Sequence, residues 1–252
     1  MSVPTENNEL RASILDHIDH LRQRLVRALA GLAIATAASF IFSSRLLAFL
    51  ITPYGDQLQL LGPTEGIEIY FKVSLLAGGI LAMPYMLFQL WLFIAPGLKD
   101  NERRLVYLFV PTATLLFLAG VAFTWYVLLP AAVMFLSGFL PDIFFAEWRA
   151  REYISFTTRF LFWIGVSFEM PLIIYFFART GLVTGQLLWE QWRVAVVLIA
   201  VLAAMVTPSV DPITMLLAMG PLLILYGISI LTARLGQRQF AGSSDSQAAD
   251  SA

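Results

Sequence analysis

Long apolar runs separated by shorter polar stretches dominate the chain. A helix that crosses a membrane needs about 20 mostly apolar residues. Six candidate segments are present, at about residues 26–42, 69–94, 105–136, 153–178, 194–206 and 213–231. The pattern predicts an all-α integral membrane protein with six transmembrane helices.

The six segments differ in length. The third, 105–136, would be about 48 Å long as a helix, so we expect it to tilt, to extend beyond the bilayer, or to kink at Pro111 or Pro130. The fifth, 194–206, would be only about 20 Å long, and the sixth is barely long enough. We therefore predict that the last two helices are short, and that they cross a locally thinned bilayer or form a re-entrant hairpin.

Polar sequence lies around and between these segments. Near the N-terminus, apolar residues fall on one helix face, at Leu10, Ile14, Ile18, Leu21 and Leu25. This spacing predicts an amphipathic helix that lies in the membrane interface and runs into the first span. Residues 43–68 and 138–152 are expected to be polar loops. We expect three parts: a cytoplasmic N-terminal segment, 1–25; a transmembrane domain, 26–235; and a disordered cytoplasmic tail, 236–252.

Composition supports the membrane assignment and excludes several functions. Of the 252 residues, 59% are hydrophobic and 13% are charged, whereas a soluble domain has about a quarter charged residues. The net charge of −1 argues against nucleic-acid binding through a basic surface. Without cysteine, the chain has no thiol chemistry and no thiolate metal site. Two nearby His–Asp pairs, from Asp16 to His20, imitate a metal site but have no matching ligands elsewhere, so we predict neither metal nor cofactor.

The distribution of Lys and Arg predicts the orientation of the chain, because cytoplasmic loops carry an excess of both. With the N-terminus inside, 11 of the 16 basic residues are cytoplasmic. These are Arg11, Arg22, Arg24, Arg27, Lys99, Arg103, Arg104, Arg179, Arg193, Arg234 and Arg238. We therefore expect both termini in the cytoplasm.

Glu169 is the most informative single residue, because it lies within the fourth span, near the bilayer midplane. An ionisable group there is costly and marks a functional site by default. Glu169 could contact a partner helix or a substrate, or it could be protonated and hydrogen-bonded inside the bundle. Pro171 frees a backbone carbonyl nearby and is expected to kink the helix. Gln89 is the other strong candidate for a polar contact within the membrane.

The cytoplasmic loop between the second and third spans carries Glu102 before Arg103 and Arg104. This acidic residue could bind a cationic peptide, but charge pattern alone favours a solvated loop that anchors the topology. There is no phosphate-binding loop, zinc-protease motif or nucleophile elbow. We predict that the protein is not an enzyme.

Four blocks of sequence, in order, resemble the TatC family, the membrane receptor and core subunit of the twin-arginine protein translocase. They are the segment 17–25 (HIDHLRQRL), the stretch 88–98 (FQLWLFIAPGL) closing with Glu102-Arg103-Arg104, the intramembrane SFEMP at 167–171, and the turn 207–212 (TPSVDP). The second block is the most specific signature. Together the blocks cover about residues 14–235.

The resemblance implies a cupped six-helix fold in the cytoplasmic membrane of a bacterium or archaeon. Its implied function is to bind signal peptides with two consecutive arginines and to recruit the single-span proteins TatA and TatB. Self-association in the complex is also expected, and the proton gradient drives export of folded proteins. By position, Glu102 would contact the twin arginines, Arg103 would lie beside it, and Glu169 would be the polar contact on the concave face. Arg22 matches the arginine of the N-terminal motif, with a structural or peptide-facing role.

The chain departs from the family pattern at His20, Met215 and Gly227, where the family has an acid, a glutamine and a glutamate. His20 replaces one of two expected carboxylates. If a second acid serves the twin arginines, Asp16 is a better geometric candidate than Asp19, because it lies on nearly the same helix face as His20. The main alternative function is a proton-coupled transporter of small solutes that uses Glu169 and needs a further polar group facing it. A structural scaffold with a degraded site is a third possibility.

Overall fold

The computed structural model describes the backbone of residues 5–94, 100–139, 147–207 and 212–250, and the side chains of 19–93, 107–139, 147–207 and 212–237. The described residues are helical apart from turns, short connections and one isolated bridge between Gln59 and Arg149. The elements are α1 (Thr5–Ser39), α2 (Ser43–Ile51), α3 (Glu65–Ile94), α4 (Asp100–Phe123), α5 (Leu129–Ser137), α6 (Ala150–Ser167), α7 (Met170–Arg179), α8 (Gly185–Glu190), α9 (Trp192–Val206) and α10 (Pro212–Asp250).

Each of the six predicted segments coincides with a helix, and the predicted all-α fold class is confirmed. Within the described residues, five stretches are long and apolar enough to cross a membrane. They are Asp19–Ile51, Glu65–Phe93, Tyr107–Ser137, Ala150–Arg179 and Pro212–Gln237. The apolar helix α9, of 15 residues, supplies the sixth segment.

The first span is longer than its hydropathy indicated. One turn of 3-10 helix, Phe40–Phe42, joins α1 to α2, so the helix continues to Ile51, where the sequence predicted a polar loop. The serine side chains make this possible, because each bonds back to a carbonyl in the preceding turn. The Ser39 hydroxyl donates to the Ala35 carbonyl at 2.8 Å, and the Ser43 hydroxyl donates to the Ser39 carbonyl at 2.9 Å.

The third and fourth spans each depart from regular α-helix close to a proline. In the third, a π-helical turn, Thr124–Leu128, links α4 to α5 immediately before Pro130. A proline removes one helix hydrogen bond and crowds the preceding turn, and a wider turn relieves both effects. In the fourth span, α6 ends at Ser167 and α7 begins at Met170, so the predicted interruption near Pro171 is confirmed.

The last two helices differ from each other. Helix α9 is short, as predicted, but the prediction is wrong for the last helix, because its apolar stretch Pro212–Gln237 has 26 residues. Polar side chains near its end are accommodated by neighbouring helices. The Gln237 side-chain carbonyl accepts a hydrogen bond from the Gly185 amide at 3.1 Å, and the Thr232 hydroxyl donates to the Pro171 carbonyl at 2.9 Å.

The backbone of α10 is helical to Asp250, beyond the point at which composition predicted disorder. No helix-breaking proline follows Pro221, and extending an existing helix costs far less than starting one. The division of the chain at residues 25 and 235 stays a prediction.

Two compact units make up the chain. The first comprises residues 1–43 and 74–114, and the second comprises 44–73 and 115–252. Within the first unit, α1 and α3 approach closely: a Cβ atom added to Gly31 would lie 2.5 Å from the Tyr85 ring. Small residues permit such backbone approach between membrane helices. The second unit contains most of the buried aromatic and branched side chains, including Tyr153, Phe160 and Ile164.

Candidate functional site

One hydrogen bond ties the N-terminal motif to the end of the second span, within the first unit. The Arg24 guanidinium donates from Nη1 to the side-chain carbonyl Oε1 of Gln89 at 3.2 Å. Gln89 is only 5% exposed, and Arg24 is half-buried. Hydrogen bonds from a charged donor are stronger than neutral ones. The bond therefore fixes the direction of α1 relative to the last turns of α3, which ends at Ile94.

An apolar groove of about 270 Å³ surrounds this hydrogen bond. Helix α1 contributes Leu21, Arg24, Leu25 and Ala28, and α3 contributes Met83, Met86, Leu87, Gln89, Leu90 and Phe93. Arg24 and Gln89 are its polar lining residues. We call it the α1–α3 groove.

Glu102 and Arg103 lie in the first turn of α4, whose backbone begins at Asp100. Their side chains lie outside the described residues, as does the connection 95–99. The rings of Trp91 and Phe109 stack at a centroid distance of 4.7 Å and join α3 to α4. The chain therefore brings Glu102 to the end of the α3–α4 pair at which Gln89 lies. A carboxylate in the first turn of a helix is also favoured by the helix dipole.

The N-terminal motif residues occupy different faces of α1. His20 and Arg22 are exposed, and the side chain of Asp16 lies outside the described residues. Arg24 lies two positions after Arg22, a rotation of about 200°, so the two side chains point to nearly opposite sides of the helix. The structure thus joins Arg24, rather than Arg22, to Gln89. The sequence analysis did not select Arg24 as a site residue. Its position between Leu21 and Ala28, on one face of the helix, was the available signal.

Glu169, in the second unit, lies at the junction between α6 and α7. Its side chain is buried, with 4% exposure. Its backbone carbonyl accepts hydrogen bonds from the amides of Leu172 at 3.1 Å and Ile173 at 3.0 Å. Among the described residues, however, its carboxyl oxygen Oε1 has no hydrogen-bond partner. A buried polar atom in this state costs free energy that a polar ligand or partner can recover.

A second buried carboxylate, Glu65, was missed by the sequence reasoning. It accepts hydrogen bonds from the Leu61 and Gly62 amides at 3.0 and 3.1 Å, and from the Arg151 amide at 3.1 Å. The Arg149 guanidinium completes the set, with Nε at 3.0 Å from Oε1. The sequence analysis placed Glu65 in the predicted polar loop 43–68, whereas α3 begins at this residue in the structure.

This cluster joins the two stretches predicted to be outer loops. The Ala150 amide donates to the Gln59 carbonyl at 2.8 Å, and the Tyr153 hydroxyl donates to the Leu50 carbonyl at 2.9 Å. We call the cluster of Glu65, Arg149 and the Gln59 bridge the outer clasp. Both carboxylate oxygens of Glu65 accept hydrogen bonds within the chain. In the described part of the chain, no three His, Cys, Asp or Glu residues are grouped to hold a metal ion.

Comparison with known proteins places these features in a family. The family model described as TatC, Sec-independent protein translocase protein, matches residues 16–221. The TatC protein of Helicobacter pylori strain J99 is 37% identical over 219 residues, which cover 87% of this chain and 88% of that protein. The chloroplastic protein of Arabidopsis thaliana is 36% identical over 217 residues, covering 85% of this chain and 64% of that protein.

The fold agrees with the same assignment. A crystal structure of the twin-arginine translocase receptor TatC has a TM-score of 0.81 and 32% sequence identity, and the match covers 87% of this chain and 99% of the crystallised one. The residues matched by the family model, 16–221, include the N-terminal motif, the α3–α4 pair and the fourth span. On sequence and on structure, this chain belongs to the TatC family of Sec-independent protein translocase proteins.

Proposed function

We propose that this protein is the core receptor subunit of a twin-arginine translocase, and that it binds signal peptides carrying two consecutive arginines. One observation carries the proposal: in a chain of this family, the first turn of α4 presents Glu102 directly after the signature stretch of α3. Carboxylates bind the planar guanidinium group through paired hydrogen bonds, which favours arginine over lysine.

Glu102 is the principal contact in this proposal. Asp16 supplies a second carboxylate in place of the acid that His20 replaces, and Arg22 and Arg103 border the site. A neutral His20 accepts one hydrogen bond from the peptide, whereas a protonated His20 repels it. No catalytic step and no cofactor are needed, because binding alone selects the passenger.

Recruitment of TatA and TatB is assigned to the membrane-embedded part of the protein. The buried, unsatisfied oxygen of Glu169 supports a polar contact with a partner helix or with a second copy of the chain. Hydrogen bonds of this kind stabilise helix pairs in lipid by about 1 kcal/mol. The proton gradient then drives export of the folded passenger through the assembled complex.

We further propose a multi-pass protein of the bacterial or archaeal cytoplasmic membrane, with both termini in the cytoplasm. The excess of Lys and Arg in the alternate connections supports this orientation. Reporters fused after Arg104 and Arg193 should read cytoplasmic, and reporters within residues 43–68 and 138–152 should read external. A cytoplasmic signal from either of the last two stretches would overturn the topology.

Site-specific crosslinking tests the receptor function. A photoreactive residue placed at Asn101, beside Glu102, should form an adduct with a twin-arginine signal peptide. The same residue at Gln57, which is exposed in the first outer stretch, serves as the matched control and should form none. A twin-lysine peptide should give much less adduct at position 101. Equal adducts with both peptides would refute recognition of paired guanidinium groups.

The transporter alternative is not favoured by the contacts of Gln89. That hypothesis needs polar side chains facing Glu169, and Gln89 was its strongest candidate. The Gln89 carbonyl instead accepts its hydrogen bond from Arg24.

A further inference from the structure

Beyond peptide binding, the α1–α3 groove has the composition of a lipid site. Its walls are almost wholly apolar, apart from Arg24 and Gln89. Leu21, Leu25 and Leu90 are exposed by 44%, 56% and 51%, which leaves the groove open along one side. A membrane protein presents such a surface to acyl chains, so the chemistry at the mouth decides which lipid stays bound.

Positive charge is concentrated at that mouth. Arg24 lines the groove, and Arg27 follows three residues later, so the two are neighbours on the surface of α1. Of the residues whose side chains are described, none forms an ion pair with either arginine. Asp19 lies about 140° around the helix from Arg24. The neutral Gln89 carbonyl therefore holds Arg24 in place, and no carboxylate among the described side chains neutralises its charge.

We propose that the α1–α3 groove binds one anionic phospholipid, with its phosphate at Arg24 and Arg27 and an acyl chain against Leu25, Ala28 and Met86. Arginine suits this role because its several N–H donors can hold Gln89 and a phosphate together. Basic pockets between membrane helices bind anionic headgroups in this manner.

The groove has room for an acyl chain. Its volume of about 270 Å³ is close to the roughly 300 Å³ at the lower end of small-molecule pockets. A second apolar groove begins one residue further along α1, at Leu29, and is lined by residues as far as Phe40. Apolar concave surface therefore continues along α1 beyond Ala28. The apolar segment of a signal peptide fits less well, because its cationic end would meet Arg24 and Arg27.

Native mass spectrometry of the purified full-length chain tests the proposal. The protein is mixed with equal amounts of phosphatidylglycerol and phosphatidylcholine that carry the same acyl chains, and the lipid retained is counted. We expect retention of one phosphatidylglycerol in preference to phosphatidylcholine. R24Q should weaken phosphatidylglycerol retention about fivefold, the effect of one arginine near an anionic surface, and leave phosphatidylcholine unchanged.

Three further variants distinguish lipid binding in the α1–α3 groove from effects of lost charge or lost folding elsewhere. R45Q removes an exposed arginine from α2 and should leave retention unchanged. R27Q does not touch the bond to Gln89, so it tests the headgroup contact even where R24Q fails to fold. A28F fills the groove and should lower retention of both lipids.

Equal retention of the two lipids by the wild-type chain would overturn the proposal, as would equal losses in R24Q and R45Q. Displacement of the lipid by a twin-arginine peptide, with R24Q indistinguishable from wild type, would make the peptide the occupant instead.

Discussion

Glu65 and Glu169 are both buried carboxylates of the second unit, with 4% exposure each, but their surroundings differ. Glu65 accepts hydrogen bonds from three backbone amides and from Arg149. Glu169 has an oxygen without a partner among the described residues. Burial alone therefore does not distinguish a carboxylate whose hydrogen bonds are satisfied within the chain from one that still lacks a partner. The number of hydrogen bonds that the carboxylate still lacks is the more informative property.

The comparison also explains why the two acids sit where they do. Glu65 lies at the start of α3, within reach of the Leu61 and Gly62 amides before that helix and of the Arg151 amide in the first turn of α6, which lacks a helical acceptor. Glu169 lies between α6 and α7, within a membrane-spanning stretch, and its oxygen Oε1 has no hydrogen-bond partner among the described residues.

The largest effect on stability is expected at Glu65. E65A leaves Arg149 and three backbone amides without their acceptor, which should lower the free energy of unfolding by about 2–4 kcal/mol. E68A is the matched control, because Glu68 makes more exposed ion pairs with Lys72 and Arg151, worth at most about 1 kcal/mol. Thermal unfolding in detergent measures both. Equal effects of the two variants would remove the distinction between the two kinds of acid.

At Glu102 we expect a large effect on function rather than on stability. E102K should abolish export of twin-arginine passengers while membrane insertion stays intact. The reversal places like charges against the peptide, at a cost of about 1–4 kcal/mol. Export assays and membrane fractionation provide the two measurements. Wild-type export by this variant would refute the role of Glu102.

A smaller effect, confined to assembly, is expected for E169Q. The amide can still hydrogen-bond, so the free energy of unfolding should change by less than about 1 kcal/mol. Co-purification of TatB should fall more than signal-peptide crosslinking does. If both fall equally, Glu169 has the same structural role as Glu65, and the comparison between them fails.

The smallest effects concern the N-terminal motif. D16N should weaken signal-peptide crosslinking more than D19N does, because Asp16 lies nearer to the face of His20. H20E, which restores the family's acid, should be tolerated or should strengthen crosslinking. A loss in D19N alone would show that the helix faces are assigned wrongly. No change in either variant would leave Glu102 as the only acidic contact among those tested.

The lengths of the apolar runs were sufficient to predict the number and order of the apolar helices, because lipid imposes a minimum apolar length on each spanning helix. The sequence also indicated a kink near Pro171, because a proline disturbs a helix through its own covalent structure, whatever surrounds it. It did not reveal that helix continues through α2, since Ser43, Ser44 and Arg45 lower the local hydropathy. Their polar groups are accommodated by helix carbonyls and by exposure, which hydropathy does not measure.

The contacts that fix the candidate site were harder to predict. Arg24 and Gln89 are 65 residues apart, and Glu65 and Arg149 are 84 residues apart. Each pair joins two separate elements, and no local spacing relates its members. The hydropathy pattern selected Glu169, and the resemblance to a family gave Glu102 its expected role, but the Arg24–Gln89 and Glu65–Arg149 contacts depend on the tertiary structure.

The outer clasp also has a consequence for biogenesis. The 84 residues between Glu65 and Arg149 take roughly 4–17 s to synthesise at about 5–20 residues per second. During that interval the first outer stretch has emerged, but its partner does not yet exist. In the proposed topology, Glu65 therefore waits with only its local Leu61 and Gly62 contacts, and the clasp can close only after Arg149 has crossed the membrane.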